Sequence, residues 1–442
     1  MSAPALVWLR DDLRLSYNPA LTAAAASGGP VVAVYVLDEE SPEVRPLGGA
    51  SRWWLHHSLA ALNESMGGCL VLRRGRAEEV IPALAAELDA PSVHWNRRYG
   101  AAREIDARLK TLLGARSHHA NLLFEPWTVT TGEGTPFKVF TPFWRAAREQ
   151  LVRDPLPVPS IDWATAPGDT LDEWGLLPTR PDWASGLREM WTPGEAGGQA
   201  RLESFATDAL ERYDRRDEPA VVATSHLSPH LRFGEVSPFQ VWARVHGVLS
   251  PAARRNASKL LSELGWREFN WSILFHNTDL ATRNYRAAFD AFPWSEPDPE
   301  VLAAWCEGRT GIPLVDAGMR ELWRTGYMHN RVRMVTASFL IKNLLVDWRV
   351  GEQWFWDTLV DADEASNPGN WQWVAGSGAD AAPYFRVFNP LLQATKFDPS
   401  GQYVNRWVPE AGTPGYPEPI VDLKATRAEA LEAYEHVKRA AR

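Results

Sequence analysis

The feature that most limits how this chain can fold is a change of rhythm near residue 130. Before it, short runs rich in Val and Leu (Ala5–Arg10, Pro30–Asp38, Cys69–Leu72, Ser92–Trp95 and Leu122–Glu125) alternate with stretches of helical periodicity such as Ser51–Ser65, Glu78–Leu88 and Ala101–Leu113. Strands that alternate with helices predict an α/β domain over residues 1–130, built on a parallel, doubly wound sheet. The first strand leads into Asp11-Asp-Leu-Arg-Leu-Ser. No Gly-x-Gly-x-x-Gly follows it, so the dinucleotide fingerprint is absent and this domain is not the obvious place for a pyrophosphate.

Over residues 131–199 the alternation breaks down. Pro155, Pro157, Pro159, Pro167, Pro178, Pro181 and Pro193 punctuate the segment, and Trp163, Trp174, Trp183 and Trp191 are scattered through it. A flexible linker would be rich in Gly and Ser and poor in aromatics. This one reads as an ordered connector pinned along both domains, with short helices such as Thr141–Val152. From 200 to 442 helical signals dominate, which predicts an all-α second domain closing on the helical segment Lys424–Arg442.

Composition excludes several classes. At 442 residues, 45% hydrophobic and 23% charged, the chain suits a soluble globular protein with two or three cores. It has no run of eighteen apolar residues, so no membrane span is expected, and no export signal precedes the first strand. Cys69 and Cys306 are its two cysteines. They cannot ligate a four-cysteine cluster and suggest no disulfide framework, so a cytoplasmic location is expected. Nothing demands a metal. A net charge of −9 argues against nonspecific nucleic-acid binding, although Arg254-Arg255-Asn-Ala-Ser-Lys259 and His329-Asn-Arg331-Val-Arg333 are local basic clusters. The 22 tryptophans far exceed ordinary usage and suggest stacking surfaces or electron relays beside core filling.

Three stretches of the second domain carry chemistry. Residues Thr325 to Phe397 begin with a helical pattern in which Met328, Val332, Val335 and Phe339 form a buried stripe. Asn330, Arg333 and Met334 share another face at i, i+3 and i+4. An acidic loop with Asp361 and Asp363 follows, closed by Ser366-Asn367-Pro368-Gly369 and then Trp371 and Trp373. Its plain reading is a loop whose Asp and Asn cap the next helix. Upstream, Tyr213 precedes Thr224-Ser225-His-Leu227-Ser228-Pro, hydroxyls and backbone amides entering a helix, suited to phosphate or simply to capping. Between these, Glu263, Trp266 and Arg267 share one helical face. They form either a Glu263–Arg267 salt bridge worth tenths of a kcal/mol or one wall of a cavity for a flipped pyrimidine pair.

Nearly motif for motif, the stretch from Thr325 to Phe397 resembles the flavin-binding core of the photolyase and cryptochrome family. The likeness extends over essentially the whole chain and is most specific from Tyr213 to Pro409. Gly-Gly-Ala-Ser-Arg-Trp-Trp-Leu-His-His at 48–57 and Trp95-Asn-Arg-Arg-Tyr99 are similar to the bacterial branch nearest plant cryptochromes, class III with class I-like features. The resemblance implies FAD held by Tyr213, Thr224, Ser225, Leu227, Ser228, Arg267, Asn330, Arg333, Asp361, Asp363 and Asn367. Arg333 would pair with Asp361 beside the isoalloxazine, and Asn367 would face N5 with an amide able to donate or accept. It implies a lesion pocket of Glu263, Trp266, Asn330, Arg331, Met334 and Trp373, and an electron relay through Trp371, Trp348 and Trp294, with Trp354 and Trp356 as a branch.

The activity so implied is light-driven splitting of cyclobutane pyrimidine dimers by an electron from photoexcited reduced FAD. Ultraviolet-damaged DNA would be the partner and a monomer the working form. A (6-4) photolyase would bring a histidine where Met334 stands. A cryptochrome photoreceptor would leave the dimer pocket unexplained. A light-independent flavin oxidoreductase or a plain helical DNA-binding protein would leave both pocket and relay unexplained. A second antenna chromophore is expected between the domains, methenyltetrahydrofolate before 8-hydroxy-deazaflavin. The acidic residue of folate-binding relatives does not align: Arg103 falls in its place, with Glu104 next to it.

Overall fold

The computed structural model describes residues 3–247, 250–381 and 385–440. Ala382, Pro383 and Tyr384 of the Thr325–Phe397 stretch, and the last two residues of the predicted terminal helix, lie outside them. The N-terminal part holds a five-stranded parallel sheet in the order β3-β2-β1-β4-β5. Its strands are β1 (Ala5–Leu9), β2 (Val31–Leu37), β3 (Val71–Arg74), β4 (Val93–Asn96) and β5 (Arg116–His118). Both faces are covered, which is why β1 and most of β2 read as unbroken apolar runs rather than alternating ones. The helices Gly49–Ser65, Ala77–Glu87 and Arg103–Leu113 fall within two residues of the predicted ones. Pro19–Ala25, started by the Asn18 side chain accepting from Leu21 N at 3.3 Å, was not foreseen.

One strand is a correction. Leu122–Glu125 is buried loop, and the fifth strand lies earlier, at Arg116–His118. The amides of Leu123 and Phe124 donate to Glu268 Oε2 at 2.7 and 3.2 Å, so the donors a ladder would need are turned toward the helical domain. The predicted helix Thr141–Val152 is also shorter, Phe140–Ala147.

The connector is ordered and fastened to the sheet. Val31 N donates to Asp162 O and Ala164 N to Val31 O, both at 2.9 Å, and Asp169 N reaches Leu72 O at 2.8 Å. At its far end Trp191 Nε1 donates to Thr325 O at 2.8 Å, on the helical side.

Beyond it the chain is helical. The longest helix, Pro251–His276, starts with Ser250 accepting from Ala253 N at 3.1 Å and Pro251 in the first turn, where the missing amide costs nothing. It lies directly on the helix Phe140–Ala147. A Cβ at Gly265 would sit 2.5 Å from the Trp144 ring, so glycine permits the approach. The helix Asn330–Ser338 buries Val332 and Val335 as its stripe requires and runs on into a π-helical turn, Phe339–Asn343. Ser366–Ala375 packs against both of these neighbours, bringing three of the predicted segments to one place. No described helix is long and apolar enough to cross a membrane.

Candidate active site

A cavity of about 450 Å³ opens where these helices meet. Glu263, Trp266 and Arg267 form one wall, and Asn330, Arg333 and Met334 the opposite one. Asp361, Asn367, Trp371 and Trp373 close it from the third side. An annex of about 250 Å³ shares Ser228, Arg267, Arg333 and Asp361 with it and continues to Tyr213, Ser225, Leu227 and Asp363. The two i, i+3, i+4 patterns are therefore walls of one hollow.

The salt bridge offered as the plain account of Glu263 does not form. Glu263 pairs instead with Arg216 at 3.4 Å, and Arg267 pairs with Glu268 at 3.1 Å and donates to Asn121 O at 3.0 Å. Desolvation at the cavity wall raises the Glu263 carboxyl above its ordinary value, against the pull of Arg216, although 43% of the side chain stays exposed. Trp266 lies flat on Phe140, with ring centroids 3.9 Å apart and planes 10° from parallel, and also lines the cavity. Across the hollow Arg333 Nη2 meets Asp361 Oδ2 at 2.9 Å, while buried Asp361 Oδ1 has no partner among the described residues. An unpartnered buried acceptor beside a large cavity fits a ligand that brings a donor.

Other predicted residues stand elsewhere. Arg331 lies off the cavity wall, paired with Asp217 at 3.0 Å and 4.4 Å above the Phe397 ring. Thr224 also lies off the wall, its hydroxyl 3.3 Å from His226 Nε2. Asp363 does two jobs: it lines the annex, and its Oδ1 accepts from Ala365 N and Ser366 N at 2.9 and 2.5 Å, so the plain capping reading holds for that oxygen. Burial holds His226 and His329 near a pKa of about 4, so neither ring carries charge beside the site at neutral pH.

The Asn367 amide is more constrained than an amide need be. Its Nδ2 donates to Glu352 O at 3.0 Å and Glu352 Oε1 at 2.9 Å. Both atoms are acceptors, so the amide nitrogen must point that way and Oδ1 is left for the cavity. The expectation that this group can either donate or accept is corrected: it is set to accept.

Of the relay tryptophans, Trp371 is on the cavity wall, Trp348 is fully buried with Nε1 donating to Asn284 Oδ1 at 2.9 Å, and Trp294 is partly exposed. Phe355 and Trp305 meet the Trp371 ring edge-on at 4.9 and 6.4 Å. In the branch, Trp356 is buried, and Trp354 stacks on the exposed Trp323 at 6.1 Å.

Several wall residues were not foreseen: Asn270, Ser366 and Asn370 on the cavity, with Arg216 and Glu352 directly behind it. For Asn270 a signal existed, since it lies four residues beyond Trp266 on the same helical face.

A second, smaller hollow of about 120 Å³ lies between the domains. Arg10 and Asp11 follow β1 and Arg97 and Arg98 follow β4, so it sits at the carboxyl ends of the strands where the order reverses. Open α/β sheets bind ligands at that switch point. Arg267 and Asp363 belong to its lining as well as to that of the helical hollow.

Two family descriptions match the chain: DNA photolyase over residues 5–160, and the FAD binding domain of DNA photolyase over residues 260–413. A deoxyribodipyrimidine photo-lyase of Agrobacterium fabrum is 48% identical, with 99% of each chain covered. Cryptochrome-1 of Arabidopsis thaliana is 38% identical over 92% of this chain and 62% of its own. Among solved structures, a bacterial class III photolyase from Agrobacterium tumefaciens superposes with a TM-score of 0.92 at 46% identity, covering 99% of this chain and 98% of that one. An archaeal photolyase from Sulfolobus tokodaii holding two FAD molecules gives 0.82 at 28% identity, covering 98% and 99%.

Proposed function

This chain belongs to the photolyase and cryptochrome family, and we propose that it works there as a deoxyribodipyrimidine photo-lyase, splitting cyclobutane pyrimidine dimers in ultraviolet-damaged DNA under light. The observation that carries this reading is the single hollow that a stacking plate, a carboxyl group, an amide and a thioether (Trp266, Glu263, Asn330 and Met334) line together with the Arg333–Asp361 pair and Asn367. Met334 stands where a histidine would mark repair of (6-4) photoproducts.

FAD fits the deeper part. The unpartnered Asp361 Oδ1 offers an acceptor, Arg333 and Arg267 offer positive charge, and Ser225 and Ser228 lie in the annex, where helix-entry amides and hydroxyls suit a pyrophosphate. Reduced FAD, held there, would supply the photoexcited electron that splits the dimer and would take it back once the ring has opened. The chain's own residues do the rest. Trp266 and Trp373 give apolar faces to an extruded pyrimidine pair, at roughly 1–3 kcal/mol per stacked base, comparable with the cost of extruding a weakly paired lesion. Glu263 turns a carboxyl group to the cavity, where it can hydrogen-bond the pyrimidine pair. On this reading Trp371 on the cavity wall, buried Trp348 and partly exposed Trp294 relay electrons between cavity and surface. Repair of a dimer-containing oligonucleotide in light but not in darkness tests the whole; equal repair in both, or none, overturns it.

The smaller hollow at the sheet's switch point is our site for an antenna chromophore, a folate before a deazaflavin. Arg10, Arg97 and Arg98 supply charge for an anionic tail. Arg103 and Glu104 lie off it, Arg103 donating to Phe275 O at 2.6 Å. Extraction of FAD alone from native-host protein would count against it. Action as a cytoplasmic monomer completes the reading.

A further inference from the structure

One polar side chain on the cavity wall has no task within the protein. Asn270, half-buried in the helix Pro251–His276, lies one turn beyond Trp266 and lines the cavity. Its amide makes no hydrogen bond to a described residue. Asn256 of the same helix shows the contrast: its Nδ2 donates to Leu210 O and Glu211 O, both at 3.0 Å. Beside Asn270 stands Gly369, where a Cβ would come within 3.0 Å of the amide oxygen, so the glycine leaves that group its room. Asparagine is among the poorer helix formers, and here no internal hydrogen bond offsets that cost.

The position suits the edge of a base. At 1.5 Å of rise per residue, Glu263 stands about 4.5 Å before Trp266 along the helix axis and Asn270 about 6 Å after it. Asn270 keeps to the part of the hollow that Trp266, Asn330, Met334 and Trp373 line; the annex, which Glu263 and Arg267 share with the cavity, does not include it. Cyclobutane formation saturates C5 and C6 of each pyrimidine and leaves the edge at C4 and N3 intact. On thymine that edge offers a carbonyl acceptor beside an N–H donor, and on cytosine an amino donor beside an acceptor nitrogen. A carboxamide carries one donor group and one acceptor side by side, so it answers either edge once turned over. No described residue fixes which way the Asn270 amide is turned, whereas the Asn367 nitrogen is held by Glu352.

We propose that Asn270 is a substrate-binding residue that takes the C4–N3 edge of one extruded pyrimidine, thymine or cytosine alike. This rests on the lesion reading above. The helix that supplies the stacking plate then also supplies a base-reading amide, and the free amide is kept at the expense of helix stability.

The test is the Kd for a duplex carrying one thymine dimer, titrated in darkness against the flavin-loaded full chain. Asn270→Leu keeps the branched shape and removes both polar atoms; it should raise that Kd about fivefold or more, the lower end of what a two-bond base contact gives. Asn270→Ala, too small to obstruct a ligand, should show a similar loss. Affinity for undamaged duplex should stay within roughly twofold, because no charge changes. The melting temperature should hold or rise in both variants, which a residue needed for the fold would not allow. A dimer methylated at N3 of both thymines isolates the contact: it should bind the unaltered protein more weakly than the plain dimer, and that penalty should shrink in Asn270→Ala. Dimer affinity in Asn270→Ala that stays within roughly twofold of the unaltered protein overturns the proposal, whatever Asn270→Leu does. So does an equal methyl penalty in both proteins, and so does a change of flavin content or flavin absorption in DNA-free variants, which would put the amide on the flavin. Unaltered protein that binds dimer and undamaged duplex alike overturns the reading beneath, and that result is seen without any variant.

Discussion

Removing Trp266 separates what the indole does for the fold from what it does for the substrate. One face of the ring is committed to Phe140 at 3.9 Å, and Phe269 meets its edge at 5.8 Å. These contacts exist whether or not DNA is bound. They contribute about 0.5–1.5 kcal/mol each beyond area burial, and their loss falls on stability. The indole also lines the cavity. A base stacked there contributes about 1–3 kcal/mol, so Trp266→Ala should raise the Kd for dimer-containing duplex roughly 5- to 150-fold. Trp266→Phe, still able to stack, should lose much less. Affinity for undamaged duplex, carried by phosphate contacts, should not move. Equilibrium titrations in darkness, at one fixed salt concentration and with flavin content checked, measure all three. If Trp266→Ala keeps its flavin and binds the lesion within twofold of the unaltered protein, the indole does not touch the dimer and the cavity has been assigned to the wrong ligand.

Three further outcomes are expected. Glu263→Ala should keep FAD and fold but lower repair per absorbed photon, because its hydrogen bond gains importance only as charge develops on the dimer; an unchanged quantum yield refutes the role. Asp361→Asn keeps the shape and removes the charge facing Arg333 at 2.9 Å, so purified protein should carry less flavin per chain, read as the visible-to-ultraviolet absorbance ratio; full occupancy refutes it. Lys342 is buried, with Nζ 2.7 Å from Arg386 O and 3.6 Å over the Phe385 ring, and burial lowers its pKa from 10.5 to about 7. Between those values the unfolded chain binds the extra proton, so stability should rise with pH from about 7 to 10.5 and be lost as pH falls through 7. Lys342→Met should flatten that rise and be more stable at pH 7, by at most about 5 kcal/mol; denaturation midpoints that keep the slope refute the assignment.

What the sequence conveyed depended on whether the controlling interaction was local. Strands buried on both faces announce themselves as Val and Leu runs, and β1 to β4 fell within two residues of where periodicity put them. Leu122–Glu125 looks like such a strand and is none, because its amides are claimed by Glu268, some 145 positions away in sequence. The cavity walls were legible where i, i+3 and i+4 put side chains on one helical face. Arg216 and Glu352 were not, since each reaches the site from its own segment and carries no spacing signal. The Glu263–Arg267 pair shows the opposite error: the spacing permits it, yet Arg216 and Glu268 offer better partners.

The two hollows share a wall, and that placement bears on how light would be used. The sheet domain offers a ligand site at its switch point for a topological reason: β1 and β4 leave the sheet in opposite directions there. The helical domain offers one where three helices converge. Nothing in either rule places the two sites side by side; the interface does, through Arg267 and Asp363, which line both. On the proposed reading Arg267 and Asp363 form a layer between the antenna site and the flavin site. Energy can cross that layer without contact between the chromophores, while the charged side chains keep the ligands chemically apart. The connector, fastened to Val31 and Leu72 at one end and to Thr325 at the other, helps to hold that spacing. Domains that merely touched would leave this distance to drift.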